Sequence, residues 1–293
     1  MKSSFARDPN REFRFPILHR LIYRMRGLLR GLRVTKLATR FVGPQHKAAE
    51  DLIEIDLTYL CNLTCNNCNR SSAQAPEALH LSLSRLESFV QESISQGRQW
   101  KRIRLLGGEP TLHPEFHQAI CILESLRDRL PELIVEVVTN GYGRRVQSAL
   151  AKLPLHIAVE NSYKQDKVQP YFGPFNMAPQ DTWWHRFVDY SNGCSIAESC
   201  GMGLTPTGYY PCAIAGGIDR VTGRGQGRLS LPHPEDEMRD LMERACRLCG
   251  RFRDGHFIPR RLRAPLLEQK TSKSWVRIYE DWSHRQRDRQ VEK

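Results

Sequence analysis

The central part of the chain alternates short apolar runs with longer stretches of helical period. Leu52-Ile53-Glu54-Ile55-Asp56-Leu57 reads as a strand. Residues 82–97 read as a helix, with Ser82 or Ser84 as N-cap and Leu86, Phe89, Val90 and Ile94 on one face. Ile103-Arg104-Leu105-Leu106 is a second strand, and Pro114 opens a second helix over 114–129. Leu133 to Val138, residues 143–152 and Leu155 to Val159 repeat the pattern as strand, helix and strand. Such alternation implies parallel strands joined by right-handed crossovers, hence an α/β sheet or partial barrel.

The flanks read differently. In residues 16–34, Leu18, Leu21, Ile22, Met25, Leu28, Leu29 and Leu32 form one helical stripe, while Arg20, Arg24, Arg30 and Arg33 lie off it. Gly27 and Gly31 each cost a helix about 1 kcal/mol relative to Ala. Two readings compete: a helix packed across the barrel with its arginines solvated, or an anchor on an anionic membrane surface or partner. Residues 161–193 contain Pro170, Pro174 and Pro179, eight of the 25 aromatic residues, and no long periodic segment. A substrate-facing lid and a loop pinned by its aromatics fit that stretch equally. Gly223, Gly225 and Gly227 suggest a flexible loop, and with no strand leading into them and no helix following at once they do not read as a phosphate loop.

Composition narrows the class. With 293 residues and 40% hydrophobic content the chain can bury a core, which excludes general disorder. No apolar run approaches the roughly 20 residues of a spanning helix, and the polar start does not resemble a secretory signal. A cytoplasmic protein is expected, with peripheral membrane contact through the N-terminal helix as a further option. The net charge of +12 sits at the ends. Residues 1–50 hold 12 Lys/Arg against 3 Asp/Glu, and residues 251–293 hold 12 against 6. The middle is slightly acidic, so the basicity does not make nucleic acid an expected partner.

Nine cysteines carry the candidate chemistry. Cys61, Cys65 and Cys68 follow the first strand directly. Cys194, Cys200, Cys212, Cys246 and Cys249 come late, and Cys121 falls in an apolar helix stripe that predicts a core position. Without a secretion signal, grouped cysteines read as metal or cluster ligands before disulfides. Three thiolates spaced by three and two residues can hold three irons of a cubane and leave the fourth open. Further polar turns close the next strands: Gly107-Gly108-Glu109-Pro110, Thr139-Asn140-Gly141 and Glu160-Asn161-Ser162. Barrel and open α/β folds place their sites at these strand ends.

This CxxxCxxC loop with a following GGEP segment resembles the signature of the radical S-adenosylmethionine (SAM) superfamily. The resemblance implies a partial parallel β/α barrel, abbreviated here, over residues 51–193. It implies a [4Fe–4S] cluster on Cys61, Cys65 and Cys68 with SAM on its open iron. Gly107, Gly108, Glu109, Pro110, Asn140, Glu160 and Asn161 would be the SAM-binding positions, with the glycines letting backbone approach the ligand's ammonium. Where the family usually has an aromatic residue before the third cysteine, this chain has Asn67. Residues 194–255 resemble the small auxiliary domain called twitch or SPASM, which binds a second [4Fe–4S] cluster. Cys212, Cys246 and Cys249 would be three of its ligands, with Cys194 and Cys200 competing for the fourth place. Basic extensions, 1–50 and 256–293, complete the division.

The implied activity is reductive cleavage of SAM to a 5′-deoxyadenosyl radical that takes a hydrogen atom from substrate. An auxiliary cluster would favour a net oxidation of a small molecule, with electrons from a flavodoxin or ferredoxin. A ribosomal peptide or protein substrate is the alternative. A non-catalytic protein holding zinc at both cysteine groups is the alternative from another class.

Overall fold

A computed structural model describes residues 16–66, 68–162, 175–254 and 271–291. The expected alternation is present: β1 (Leu52–Thr58), α3 (Leu83–Ser95), β2 (Arg102–Gly107), α4 (Phe116–Glu124), β3 (Ile134–Thr139), α5 (Arg144–Leu150) and β4 (Ala158–Asn161). Ahead of them lie α1 (Pro16–Arg33) and α2 (Lys36–Val42). The Ser82 side chain caps α3 by accepting from Arg85 N. The fourth strand begins three residues later than its apolar run suggested, because 154–157 is spent on the turn that brings the chain back from α5.

The sheet order is β4-β3-β2-β1-β5-β6. Strands β1 to β4 are mutually parallel, as an α/β class requires. On the other side of β1, β5 (Met202–Thr205) pairs in parallel and β6 (Gly208–Tyr210) turns back antiparallel. The hairpin around Thr207-Gly208 thus continues the barrel sheet, and one hydrophobic core runs through both.

The period-two alternation of β1 divides its faces. Ile53, Ile55 and Leu57 join Ile103, Leu105, Val135 and Val137 under Leu86, Phe89 and Ile120 of the covering helices. Glu54, Asp56 and Thr58 point to the other face, the concave side of the partial barrel. After the hairpin, α7 (Ala213–Thr222) packs onto β5 and β6, α8 (Arg239–Cys246) packs against α7 and the 190–192 turn, and a C-terminal helix, Lys273–Val291, lies against α7. Trp275 in that helix is fully buried against Phe175 and donates its indole N–H to Leu248 O at 2.7 Å.

Two expectations change. Cys121 is exposed, not core: α4 buries Phe116, Ala119, Ile120 and Leu123, and position 121 falls off that face. The helix α1 does not lie across the barrel with its apolar stripe inward. Its leucines are exposed, and it meets the rest of the chain through Arg30 and Val34 near its C-terminal end. Among the described residues, no helix is long and apolar enough to cross a membrane.

Candidate active site

The first cysteine group occupies the loop that leaves β1. Cys65 is buried and Cys61 and Cys68 are half-buried. Burial, and to a lesser degree the neighbouring Cys68, Glu109 and Cys65, pushes the Cys61 thiol up to about 11. The backbone N–H of Leu63 points at Cys61 Sγ, and Asn140 Nδ2 lies 3.9 Å from the same sulfur. Gln74 Nε2 donates to Cys65 O at 2.9 Å and Asn66 O at 3.0 Å, tying the far side of the loop. Position 67 lies outside the described residues.

The GGEP segment is the buttress of this loop. Gly108 N donates to Thr58 O at 2.7 Å and Glu109 N to Leu60 O at 2.9 Å. A Cβ on Gly108 would stand 2.3 Å from Leu60 O, and Gly107 has a φ of +125° with Thr58 O equally close. The backbone that these glycines admit is therefore the chain's own. Pro110 opens a buried turn, Pro110–Leu112. Glu109, wholly buried, accepts from Thr111 Oγ1 at 2.7 Å, Thr139 Oγ1 at 2.8 Å and Asn140 N at 2.8 Å. Its carboxylate thus joins the ends of β2 and β3 instead of standing open to a ligand. Asn140 passes the connection on, donating to Asn62 Oδ1 at 2.8 Å beside Cys61.

At the end of β4, Asn161 stands against Gly141, whose φ is +68°. Glu160 points elsewhere. It pairs with Arg104, which also bonds Glu136 and Glu54 at 2.9 Å each. Register places Glu54 opposite Arg104 and Arg104 opposite Glu136, so the row crosses β1, β2 and β3. Arg70, two residues past Cys68, extends it by donating to Glu54 at 3.0 Å and to Asp56 at 3.2 Å. Against the cost of burial, Arg70 and Arg104 hold Glu54 below the usual carboxylate range. Burial pushes Asp56 up to about 6 although Arg70 pulls the other way. The concave face is ionic, not apolar.

The late cysteines divide four to one. Burial raises the thiols of Cys212, Cys246 and Cys249, and each is raised further by Cys194. All four border one apolar hollow with Met242 and Phe252. The backbone N–H of Ile196 lies by the Cys194 thiol, while Ala215 N and Phe252 N donate to Cys212 O and Cys249 O at 3.0 Å each. Cys200 stands apart, near Glu54 and Arg104, with Sγ 3.8 Å from Ser199 Oγ. Among the described residues, no three His, Cys, Asp or Glu side chains are gathered tightly enough for a single metal ion.

Residues 55–164 match the Radical SAM superfamily. The chain carries a radical SAM domain. The match covers the cysteine loop, the GGEP segment, Asn140, Glu160 and Asn161. Two curated relatives align over 92 residues, 31% of this chain and 26% of theirs. They are the GTP 3′,8-cyclases of Mannheimia succiniciproducens, 32% identical, and of Pasteurella multocida, 27% identical. The chain thus spans about a quarter of the length of these relatives. Among solved structures, BtrN in complex with AdoMet and 2-DOIA aligns with a TM-score of 0.37 and 13% identity, over 78% of this chain and 96% of that one. An open conformation of BtrN gives 0.36 and 15%, over 76% and 93%.

The radical SAM family implies a [4Fe–4S] cluster and SAM, and the first cysteine loop fits that pair. Three soft thiol donors in one loop, mutually repelling when ionised, call for a cationic centre. The amide N–H groups of Leu63 and Asn140 are directed at the sulfur of Cys61, as outer-shell donors to a cluster are. Sequence reasoning missed Arg70, Gln74 and Arg104, because they act across distances no local motif records. The one available signal was charge inside an apolar strand: Glu54 and Asp56 in β1 demand buried cations. His113 is buried, with Nε2 2.8 Å from Leu81 O and Nδ1 accepting from Glu115 N.

Proposed function

We propose that the chain is a radical SAM enzyme that oxidises a polar small molecule with the help of a second [4Fe–4S] cluster. When bound, the first cluster and SAM supply one-electron cleavage of the sulfonium, and the resulting 5′-deoxyadenosyl radical takes a hydrogen atom from substrate. Cys61, Cys65 and Cys68 hold that cluster. Glu109 fixes Thr139 and Asn140 at the strand ends, and Asn140 orients the loop through Asn62. The observation that carries the reading is the loop of three cysteines leaving β1, with Asn140 Nδ2 3.9 Å from Cys61 Sγ, inside the segment that matches the radical SAM superfamily.

The ionic concave face supports a polar substrate. Glu136 and Glu160 sit at its rim beside Arg104, available to hydroxyl or amino groups. The second cluster is supported by the four late thiols around one hollow, the setting of a twitch-like auxiliary site. Cys194 would be the fourth ligand and Cys200 the spare. Ser71 Oγ, close to Cys68, is 3.0 Å from Tyr279 OH of the C-terminal helix, and Arg220 of α7 donates to Arg70 O and Ala75 O. These contacts would hold the two cysteine groups in fixed relation, as electron transfer from a substrate radical to an auxiliary cluster requires. Reducing equivalents would come from a flavodoxin or ferredoxin.

Anaerobic purification with iron, sulfide and zinc counts tests this reading. About eight irons and eight sulfides per chain are expected for two cubanes. About four irons with one zinc would restrict iron chemistry to the first loop and withdraw the oxidation. Zinc alone would remove the enzyme.

A further inference from the structure

The N-terminal helix is turned inside out relative to an ordinary surface helix. At about 100° per residue, Ile17 to Leu32 place their apolar side chains within an arc of about 140°. That arc faces away from the protein: Ile17 is 87% exposed, Leu28 71% and Leu32 67%. The side of α1 that meets the body is marked by Arg30 and Val34, nearly opposite the arc. Arg30 is 9% exposed and lies 4.8 Å over the Phe252 ring, while Val34 packs with Val188 and Tyr190. A buried arginine under a row of exposed leucines reverses the burial that water favours.

Further large apolar side chains are exposed past α1. In α2, Leu37, Phe41 and Val42 are exposed and no residue of the helix is buried. Thr35 bridges to Val188, and the segment leading into that bridge exposes Trp183, Trp184 and Phe187, the two indoles stacked at 3.8 Å. So large a patch exceeds what isolated surface residues explain.

Charge selects the occupant. Residues 16–42 contain seven Lys/Arg and no Asp/Glu. Arg24, Arg26, Lys36 and Arg40 are exposed along the apolar surface. Seven like charges disfavour packing against a second copy of the same face, since isologous contact would bring them together. Arginines beside exposed leucines, with tryptophans nearby, match the layering of a bilayer interface, where acyl chains lie beneath anionic headgroups. We propose that α1 and α2 form a docking face for an anionic lipid bilayer, lying in its headgroup layer with the leucines directed toward the acyl chains. The helix, 18 residues and about 27 Å long, then lies along the surface without spanning it. This inference does not depend on the cysteine chemistry.

The test is co-sedimentation of the full chain with vesicles of phosphatidylcholine alone and of phosphatidylcholine mixed with phosphatidylglycerol. Binding to the mixed vesicles only, weakening as salt rises, is expected. The double variant Arg24→Gln/Arg26→Gln should bind about thirtyfold more weakly, from about 1 kcal/mol per basic residue near an anionic surface. Leu28→Gln/Leu29→Gln should lower binding by about tenfold or more through lost apolar burial. These side chains touch no core, so the variants should keep the wild-type circular dichroism. Fluorescence of the wild type should shift to the blue on the mixed vesicles and stay unchanged in Trp183→Gln/Trp184→Gln. Absence of binding to the mixed vesicles would overturn the proposal. So would a lipid-independent dimer in sedimentation velocity that Leu28→Gln/Leu29→Gln dissociates, because the stripe would then be a self-association face.

Discussion

Arg70 and Asp56 tie the cysteine loop to the strand it left: Arg70 Nε lies 3.3 Å from both carboxylate oxygens of Asp56, and Nη2 reaches Oδ1 at 3.2 Å. Both side chains are buried, and Arg70 also holds Glu54. Removing the cation leaves Asp56 without its hydrogen-bonded charge partner, with only the weaker pull of Arg220 remaining. Arg70→Met should destabilise the protein by about 3–5 kcal/mol, the range for breaking a buried pair from one side. Urea unfolding measures the loss, and adding Asp56→Asn to the variant should recover part of it. An Arg70→Met protein as stable as wild type would show that the loop has another anchor.

Gly108 gives a second test, because a Cβ there would stand 2.3 Å from Leu60 O. Gly108→Ala should push the 58–60 segment away and disturb the start of the cysteine loop. The variant should therefore lose iron from the first cluster together with SAM affinity. If iron stays at the wild-type count and only SAM binding falls, the glycine faces the cofactor after all.

The late cysteines can be sorted one by one. Cys194 shares the hollow with Cys212, Cys246 and Cys249, whereas Cys200 does not line it and lies near Glu54. Cys194→Ala should lower the iron count by up to about four per chain. Cys200→Ala should leave it unchanged. The reverse outcome would reassign the fourth ligand to Cys200 and require the β5 hairpin to shift.

Much of this was legible in the chain itself, for reasons that differ by element. The period-two and helical patterns of residues 52–161 mark β1 to β4 and their helices because each buries one continuous apolar face. The cysteine loop was legible because ligand spacing within one turn is local. What was not legible depends on contacts distant in sequence. That β5 adds beside β1 follows from pairing across about 150 residues. Cys194 and Cys200 are equivalent by spacing, and only the turn of α6 (Ser195–Ser199) sends their side chains to different places. The stripe of α1 was visible, but its direction was not, since hydrophobic period alone does not say whether protein or something else covers it.

The most direct test of the central claim is the product of SAM under reducing, anaerobic conditions. The reconstituted protein with dithionite should release 5′-deoxyadenosine and methionine in equal amounts, even slowly and without substrate. Cys65→Ala, which removes one of the three anchors, should release neither, while the Cys212, Cys246 and Cys249 triple Ala variant should still release both. Formation of 5′-deoxyadenosine by Cys65→Ala at the wild-type rate, or none by the iron-loaded wild type, would contradict the account.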